Sequence, residues 1–167
     1  MKNKSRLIYY SEIKTPNELE AWEQRLFEAA TNIAQNAYAP YSNFNVGAAV
    51  QLSNGTIVKG ANVENAAFPS GICAERNAIA AAVANHPSGK IEAIAIAAYI
   101  NGSLTPEPVT PCGNCRQVIA EEEVKSGKEI KIILGGKNKI IIIEGIKNLL
   151  PFQFSGIESK EKHKNKK

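Results

Sequence analysis

The chain reads as an α/β protein, a mixed five-stranded sheet with helices on both faces in an α-β-α sandwich. Three observations predict it. Three segments carry helical periodicity or helix-favouring composition, five short apolar or alternating runs carry strand character, and the two kinds are interspersed along 167 residues. A chain of that length buries a core as one domain without disulfide staples.

The elements follow in order. Thr15-Pro16-Asn17-Glu18 supplies an N-cap, a proline at the first helical position and a capping-box glutamate. In the helix expected next, Leu19, Trp22, Leu26, Ala29, Ile33 and Ala37 recur every three or four residues and form one apolar face, ending before Pro40. Phe44, Val46, Ala48 and Val50 alternate, Asn54-Gly55 marks a tight turn, and Thr56-Ile57-Val58 resumes extended character, so a hairpin is expected. Residues 73–85 are alanine-rich and favour a helix. Residues 91–98 are a short apolar run consistent with a buried strand, and residues 112–123 favour a further helix. Two final strands, 130–134 and 139–143, flank Gly135-Gly136-Lys137-Asn138, and Pro151 closes a last short helix.

Composition narrows the function. The net charge is +4, but the five lysines and one glutamate within residues 160–167 account for all of it. The body is therefore neutral, a poor match for a phosphate backbone, and no nucleic-acid partner is expected. Residues 158–167 read as a basic, solvated tail, residues 1–14 as an N-terminal extension, and residues 15–157 as the main domain. The basic N-terminus is not followed by an apolar leader and no run reaches membrane-spanning length, so the expected setting is cytoplasmic, with no membrane partner. There is no aspartate, and the only histidines are His86, at an expected helix end, and His163, in the tail. A Ser-His-Asp triad is excluded.

All three cysteines fall in two short motifs, Cys73-Ala74-Glu75-Arg76 and Pro111-Cys112-Gly113-Asn114-Cys115. Cys112 and Cys115 are three residues apart at a helix start, so both sulfurs can face one metal from a single turn while Cys73 approaches from another segment. Three protein ligands with an open fourth position suit a catalytic zinc that keeps a water. Glu75, two residues after Cys73, is placed to face that water without ligating, and to move a proton from it to a leaving group. A redox Cys-x-x-Cys would need neither Cys73 nor Glu75, and a structural zinc site would want a fourth ligand.

Four motifs, Tyr41-Ser42-Asn43-Phe44-Asn45-Val46-Gly47-Ala48-Ala49, Asn62-Val63-Glu64-Asn65, Cys73-Ala74-Glu75-Arg76 and Pro111-Cys112-Gly113-Asn114-Cys115-Arg116-Gln117, together resemble the cytidine deaminase family, in its small-subunit, homotetrameric, three-cysteine branch. The resemblance runs from about the first helix to Phe154. It implies a cytidine deaminase-like fold that binds one zinc per subunit through Cys73, Cys112 and Cys115, with Glu75 as proton shuttle. It implies hydrolysis of cytidine and 2′-deoxycytidine to uridine and 2′-deoxyuridine with release of ammonia, a pyrimidine-salvage reaction.

By the same resemblance, the backbone near Ala74 reads the base together with Glu75, Asn62 and Glu64 bind the ribose, Phe44 packs on the base, and Phe154 reaches the site of a neighbouring subunit. Arg76 matches a position that hydrogen-bonds the zinc thiolates and offsets their excess negative charge. For Asn62 turn chemistry is the alternative, for Glu64 solvent exposure, for Arg76 an exposed helix position, and for the two phenylalanines a place in the core. Phe68 departs from the tyrosine common in the family.

Overall fold

A computed structural model describes residues 2–156. The expected basic tail, with His163, lies outside the described residues.

The core of the molecule is one mixed sheet. Its strands are β1 (Ser11–Ile13), β2 (Phe44–Leu52), β3 (Ile57–Ala61), β4 (Ile91–Ile100), β5 (Ser103–Leu104), β6 (Lys131–Gly135) and β7 (Ile140–Glu144). They lie in the order β1-β7-β6-β4-β2-β3, with β5 folded back on the end of β4. The five expected strands are all present. The two additions are short: β1 pairs antiparallel with Ile140–Ile142 at one edge, and β5 is two residues long. Neither segment has an apolar pattern; partner strands hold them in place.

The alternation within β4 shows how the sheet divides its faces. Ala93, Ala95 and Ala97 point to one side and Ile94 and Ile96 to the other. The alanine side receives α1 (Ala21–Ile33), with Leu26, Phe27 and Ala30 buried against Ala49 and Ile133. The isoleucine side receives α2 (Ala74–Asn85) and α3 (Gly113–Ser126), whose Ala78, Ile79 and Ile119 meet Val50, Ile132 and Leu134. Strands β4 and β6 run parallel, so the chain must cross over between them, and α3 makes that crossing. Consequently the N-termini of α2 and α3 lie on the same face of the sheet.

The first helix differs from the sequence reading in its start and its face. The Thr15–Glu18 capping box forms, but it heads only a 3₁₀ turn, Pro16–Glu18. Leu19 then adopts an extended backbone, and a second capping box, Glu20 with Glu23, starts α1. The buried stripe is Glu23, Leu26, Phe27, Ala30 and, in the following 3₁₀ turn Ala34–Asn36, Ala34; Trp22, Ala29, Ile33 and Ala37 lie half-buried at its margin. Glu23 tolerates its core-facing place because its carboxylate accepts hydrogen bonds from Glu20 N at 2.9 Å and Lys131 Nζ at 2.8 Å. The expected final helix is a single 3₁₀ turn, Ile146–Asn148, just before Pro151.

Among the described residues, no helix is long and apolar enough to cross a membrane.

Candidate functional site

Both helices on the isoleucine side begin at a cysteine. Cys73 caps α2 and Cys112 caps α3, each with extended backbone, and Cys115 follows one turn into α3. The three sulfurs lie within 4.8 Å of one another. Cys112 Sγ stands 4.0 Å from Cys73 Sγ and 3.4 Å from Cys115 Sγ, and it also accepts Cys115 N–H at 3.5 Å. Cys115 is buried, Cys73 half-buried and Cys112 exposed.

Glu75 sits in the first turn of α2 and is 5% exposed. Burial raises its pKa, opposed by a backbone N–H, by Cys115 and by the positive charge of Arg76. The thiols respond to the same crowding. Burial, followed by the negative charge of Glu75, pushes Cys73 up and Cys115 far up. For Cys112 burial also acts upward, but hydrogen bonds from Cys115 and from the backbone of Asn114 leave it below its ordinary value. Three thiolates beside a carboxylate are thus strongly unfavourable without a cation. A divalent ion removes that penalty as the thiols release their protons. Soft sulfur donors select zinc among the common divalent metals, and three such donors leave one position open. The residues present fit that ion.

A cavity of about 660 Å³ opens onto the cluster, with Cys73, Cys112, Ala74 and Glu75 at one end and Phe44, Asn62 and Glu64 among its walls. The Glu64 carboxylate accepts Tyr41 N–H at 2.9 Å, Ser42 N–H at 3.3 Å and the Ser42 hydroxyl at 2.5 Å. The Ser42 hydroxyl, then the Tyr41 N–H, hold its pKa below the ordinary range. Ser42 Oγ also accepts Phe44 N–H at 3.1 Å, so one serine ties the carboxylate to the strand carrying the aromatic wall. Asn62 spans the same strand: its Oδ1 accepts Val46 N–H at 2.7 Å and its Nδ2 donates to Phe44 O at 3.0 Å. At the mouth, Phe68 meets Tyr41 edge-on, with ring centroids 5.7 Å apart.

Nine of the ten sequence-predicted site residues therefore gather around the two helix starts and the β2–β3 end of the sheet. Arg76, half-buried on α2, acts on Glu75 through its charge and makes no hydrogen bond to the three sulfurs among the described residues. Phe154 stands apart. It is 76% exposed and does not line this cavity, and its carbonyl accepts a hydrogen bond from Gln117 Nε2 at 2.9 Å.

Two residues of the quoted motifs take parts that sequence reasoning did not assign. Ser42 orients Glu64, and Arg116 braces the approach to Cys112 through Pro111 O at 2.8 Å. Their signal was adjacency, Arg116 following Cys115 and Ser42 lying two residues before Phe44. Adjacency alone does not say where a side chain turns.

Comparison with known proteins points the same way. Residues 20–127 match the family model described as the cytidine and deoxycytidylate deaminase zinc-binding region. The chain is 38% identical over 132 residues to the cytidine deaminase of Halalkalibacterium halodurans, covering 79% of this chain and 93% of that protein. Its fold is similar to the crystal structure of cytidine deaminase from Burkholderia pseudomallei, with a TM-score of 0.65 and 35% identity over 78% of this chain and 97% of that one. The cytidine deaminase from Mycobacterium tuberculosis is similar to the same degree, with a TM-score of 0.64 and 34% identity over 81% of this chain and 98% of that one.

Proposed function

The chain belongs to the cytidine and deoxycytidylate deaminase zinc-binding family, and on that premise we propose that it hydrolyses cytidine and 2′-deoxycytidine to uridine and 2′-deoxyuridine, releasing ammonia. The observation that carries this reading is a buried carboxylate, Glu75, at the same cavity end as three converging sulfurs.

Zinc is the cofactor, and Cys73, Cys112 and Cys115 are the residues that would hold it, one ion per subunit. Bound there, it supplies a water acidic enough to be deprotonated near neutral pH. Glu75 takes a proton from the attacking water and delivers one to the departing amine. Burial raises its pKa above the ordinary carboxyl value, toward the range in which a carboxyl can both accept and deliver a proton. Low exposure keeps bulk water from competing for that proton. The balance is one water consumed and one ammonia released.

The remaining walls account for a nucleoside substrate. Ala74 lines the cavity end beside Glu75, which supports its backbone as the group that reads the base. Phe44 offers a ring for stacking. Glu64, held ionised by Ser42 and Tyr41, is an acceptor for sugar hydroxyls, and Asn62 keeps the strand beneath it in register. Arg76 offsets the surplus negative charge near Glu75.

The enzyme works as a homotetramer in the cytoplasm, in pyrimidine salvage, with Phe154 completing a neighbouring subunit's site. Supporting the assembly, Tyr41, Val63 and Phe68 at the cavity mouth, and Phe152 and Phe154 beyond Pro151, are exposed large apolar side chains in a single chain. Neither nucleic acid nor membrane is a partner.

The test combines elemental analysis with an ultraviolet assay across cytidine, deoxycytidine, cytosine and the monophosphates. One zinc per chain and turnover of the two nucleosides are expected. A protein without zinc, its three thiols freely titratable, or one with zinc but no ammonia release, overturns the reading.

A further inference from the structure

Packing does not hold the three sulfurs equally. Cys115 is 0% exposed and Cys73 half-buried at the start of α2, whereas Cys112 is exposed and precedes the first turn of α3. Beyond the Cys115 N–H on its sulfur, the polar contacts nearest it in sequence come from Arg116, the residue after Cys115: its Nε donates to Pro111 O at 2.8 Å, one Nη to Leu149 O at 2.8 Å and the other to Thr110 Oγ1 at 3.3 Å. Two of these acceptors lie on the segment leading into Cys112. The third lies just past the 3₁₀ turn Ile146–Asn148.

The turn that supplies the third acceptor is itself tied down. The segment before β1 runs over the same 3₁₀ turn, where Arg6 donates to Pro151 O and Tyr9 N–H donates to Asn148 Oδ1. Ile8 and Tyr10 join Arg116, Thr110 and Leu149 around a second cavity, of about 270 Å³. This segment precedes the region that matches the family model, which begins at residue 20.

We propose that Arg116 is a positioning residue for the metal: its planar fork fixes the Thr110-Pro111-Cys112 backbone against the C-terminal turn, and so sets where the exposed Cys112 sulfur stands relative to Cys73 and Cys115. The inference rests on the reading of these sulfurs as zinc ligands. A fork is required because the three acceptors are served by three different nitrogens; a lysine at this place keeps the charge but supplies a single donor atom. Thr110 also lines the substrate cavity, so a loosened segment disturbs the cavity wall along with the ligand.

The test is Arg116→Lys and Arg116→Gln in the full chain, read by zinc affinity against a competing chelator and by the cobalt-substituted spectrum, whose thiolate-to-metal bands report ligand geometry. Zinc affinity is expected to fall about ten- to a hundredfold, the usual effect of removing a residue that orients a metal ligand. The cobalt bands should shift in both variants while far-ultraviolet circular dichroism is retained. Unchanged zinc affinity and cobalt bands in a folded Arg116→Lys protein, even with a lowered melting temperature, make Arg116 a structural brace and overturn the inference alone. Failure of the parent protein to bind zinc overturns the reading of the sulfurs and this inference together. Should Arg116→Gln not fold, Arg116→Lys decides.

Discussion

Gly60 on β3 lies directly against the backbone of Ala78 on α2: a methyl carbon added to Gly60 would fall 2.4 Å from Ala78 N and 2.7 Å from Ala74 O. No Cβ fits at that distance. The helix carrying Glu75 in its first turn therefore rests on the sheet backbone itself, and Asn77 Nδ2 fastens it there by donating to Ala61 O at 3.0 Å.

Gly60→Ala is expected to push α2 off the sheet at the end that carries the site. The atoms such a methyl would meet are backbone atoms, which cannot rotate away, so the strain should cost about 1–3 kcal/mol of stability. Zinc affinity should fall as well, because Cys73 moves with α2. A variant with unchanged melting temperature and zinc content would show that the helix can shift freely without moving the cysteine.

Glu75→Gln should retain zinc and lose roughly 10² to 10⁴ in turnover, since an amide cannot accept the proton. The same change should stabilise the metal-free protein at neutral pH. The sign follows from the raised pKa of Glu75: its favourable contribution is complete below the unfolded carboxyl pKa and is lost as pH rises through the folded value, so the charged form of the buried group opposes folding. Comparing melting curves of the two metal-free proteins at pH 5 and pH 7 measures this. An equal difference at both pH values would remove burial of the charge as the cause.

Glu64→Ala should lower kcat/KM for cytidine roughly ten- to a hundredfold while changing the slower reaction of free cytosine far less, because cytosine has no sugar to engage it. Ser42→Ala should reproduce part of the effect and make it pH-dependent. Without the hydroxyl that chiefly holds the Glu64 pKa down, its carboxyl protonates at a higher pH, and cytidine activity should fade earlier on acidification. Steady-state profiles for both substrates check this. Equal loss on cytidine and cytosine would assign Glu64 to the fold.

If the proposed tetramer forms and Phe154 serves a neighbouring subunit, Phe154→Ala should leave the tetramer assembled while raising KM for cytidine; in its own chain Phe154 does not line the cavity. Sedimentation together with steady-state kinetics separates the two effects. An intact tetramer with normal substrate binding would remove Phe154 from the site.

Much of the site was legible locally. A Cys-x-x-Cys at a helix start puts two sulfurs on one turn whatever the rest of the chain does, and Glu75 follows Cys73 closely enough to share its helix start. The Asn54-Gly55 hairpin and the apolar run that became β4 are also short-range signals, decided within a few residues by turn chemistry and side-chain alternation. The start of α1 was less legible, because two capping boxes lie in succession and only packing of Leu19 and Glu23 shows which one begins the long helix.

The sequence by itself determined which groups can do chemistry: three thiols, one carboxylate beside them, and no aspartate or well-placed histidine to compete. Tertiary structure decided how those groups behave. Cys73 and Cys112 are 39 residues apart, and they meet only because both helix starts lie on one face of a sheet whose parallel β4–β6 pair requires a crossover. Burial that raises the Glu75 pKa, the serine that lowers the Glu64 pKa, and the arginine fork behind Cys112 likewise depend on segments distant in the chain or on side-chain directions that adjacency does not specify. The physical reason is range. Caps, turns and alternation are settled by neighbours along the backbone, whereas desolvation and convergence of ligands exist only after distant segments have packed.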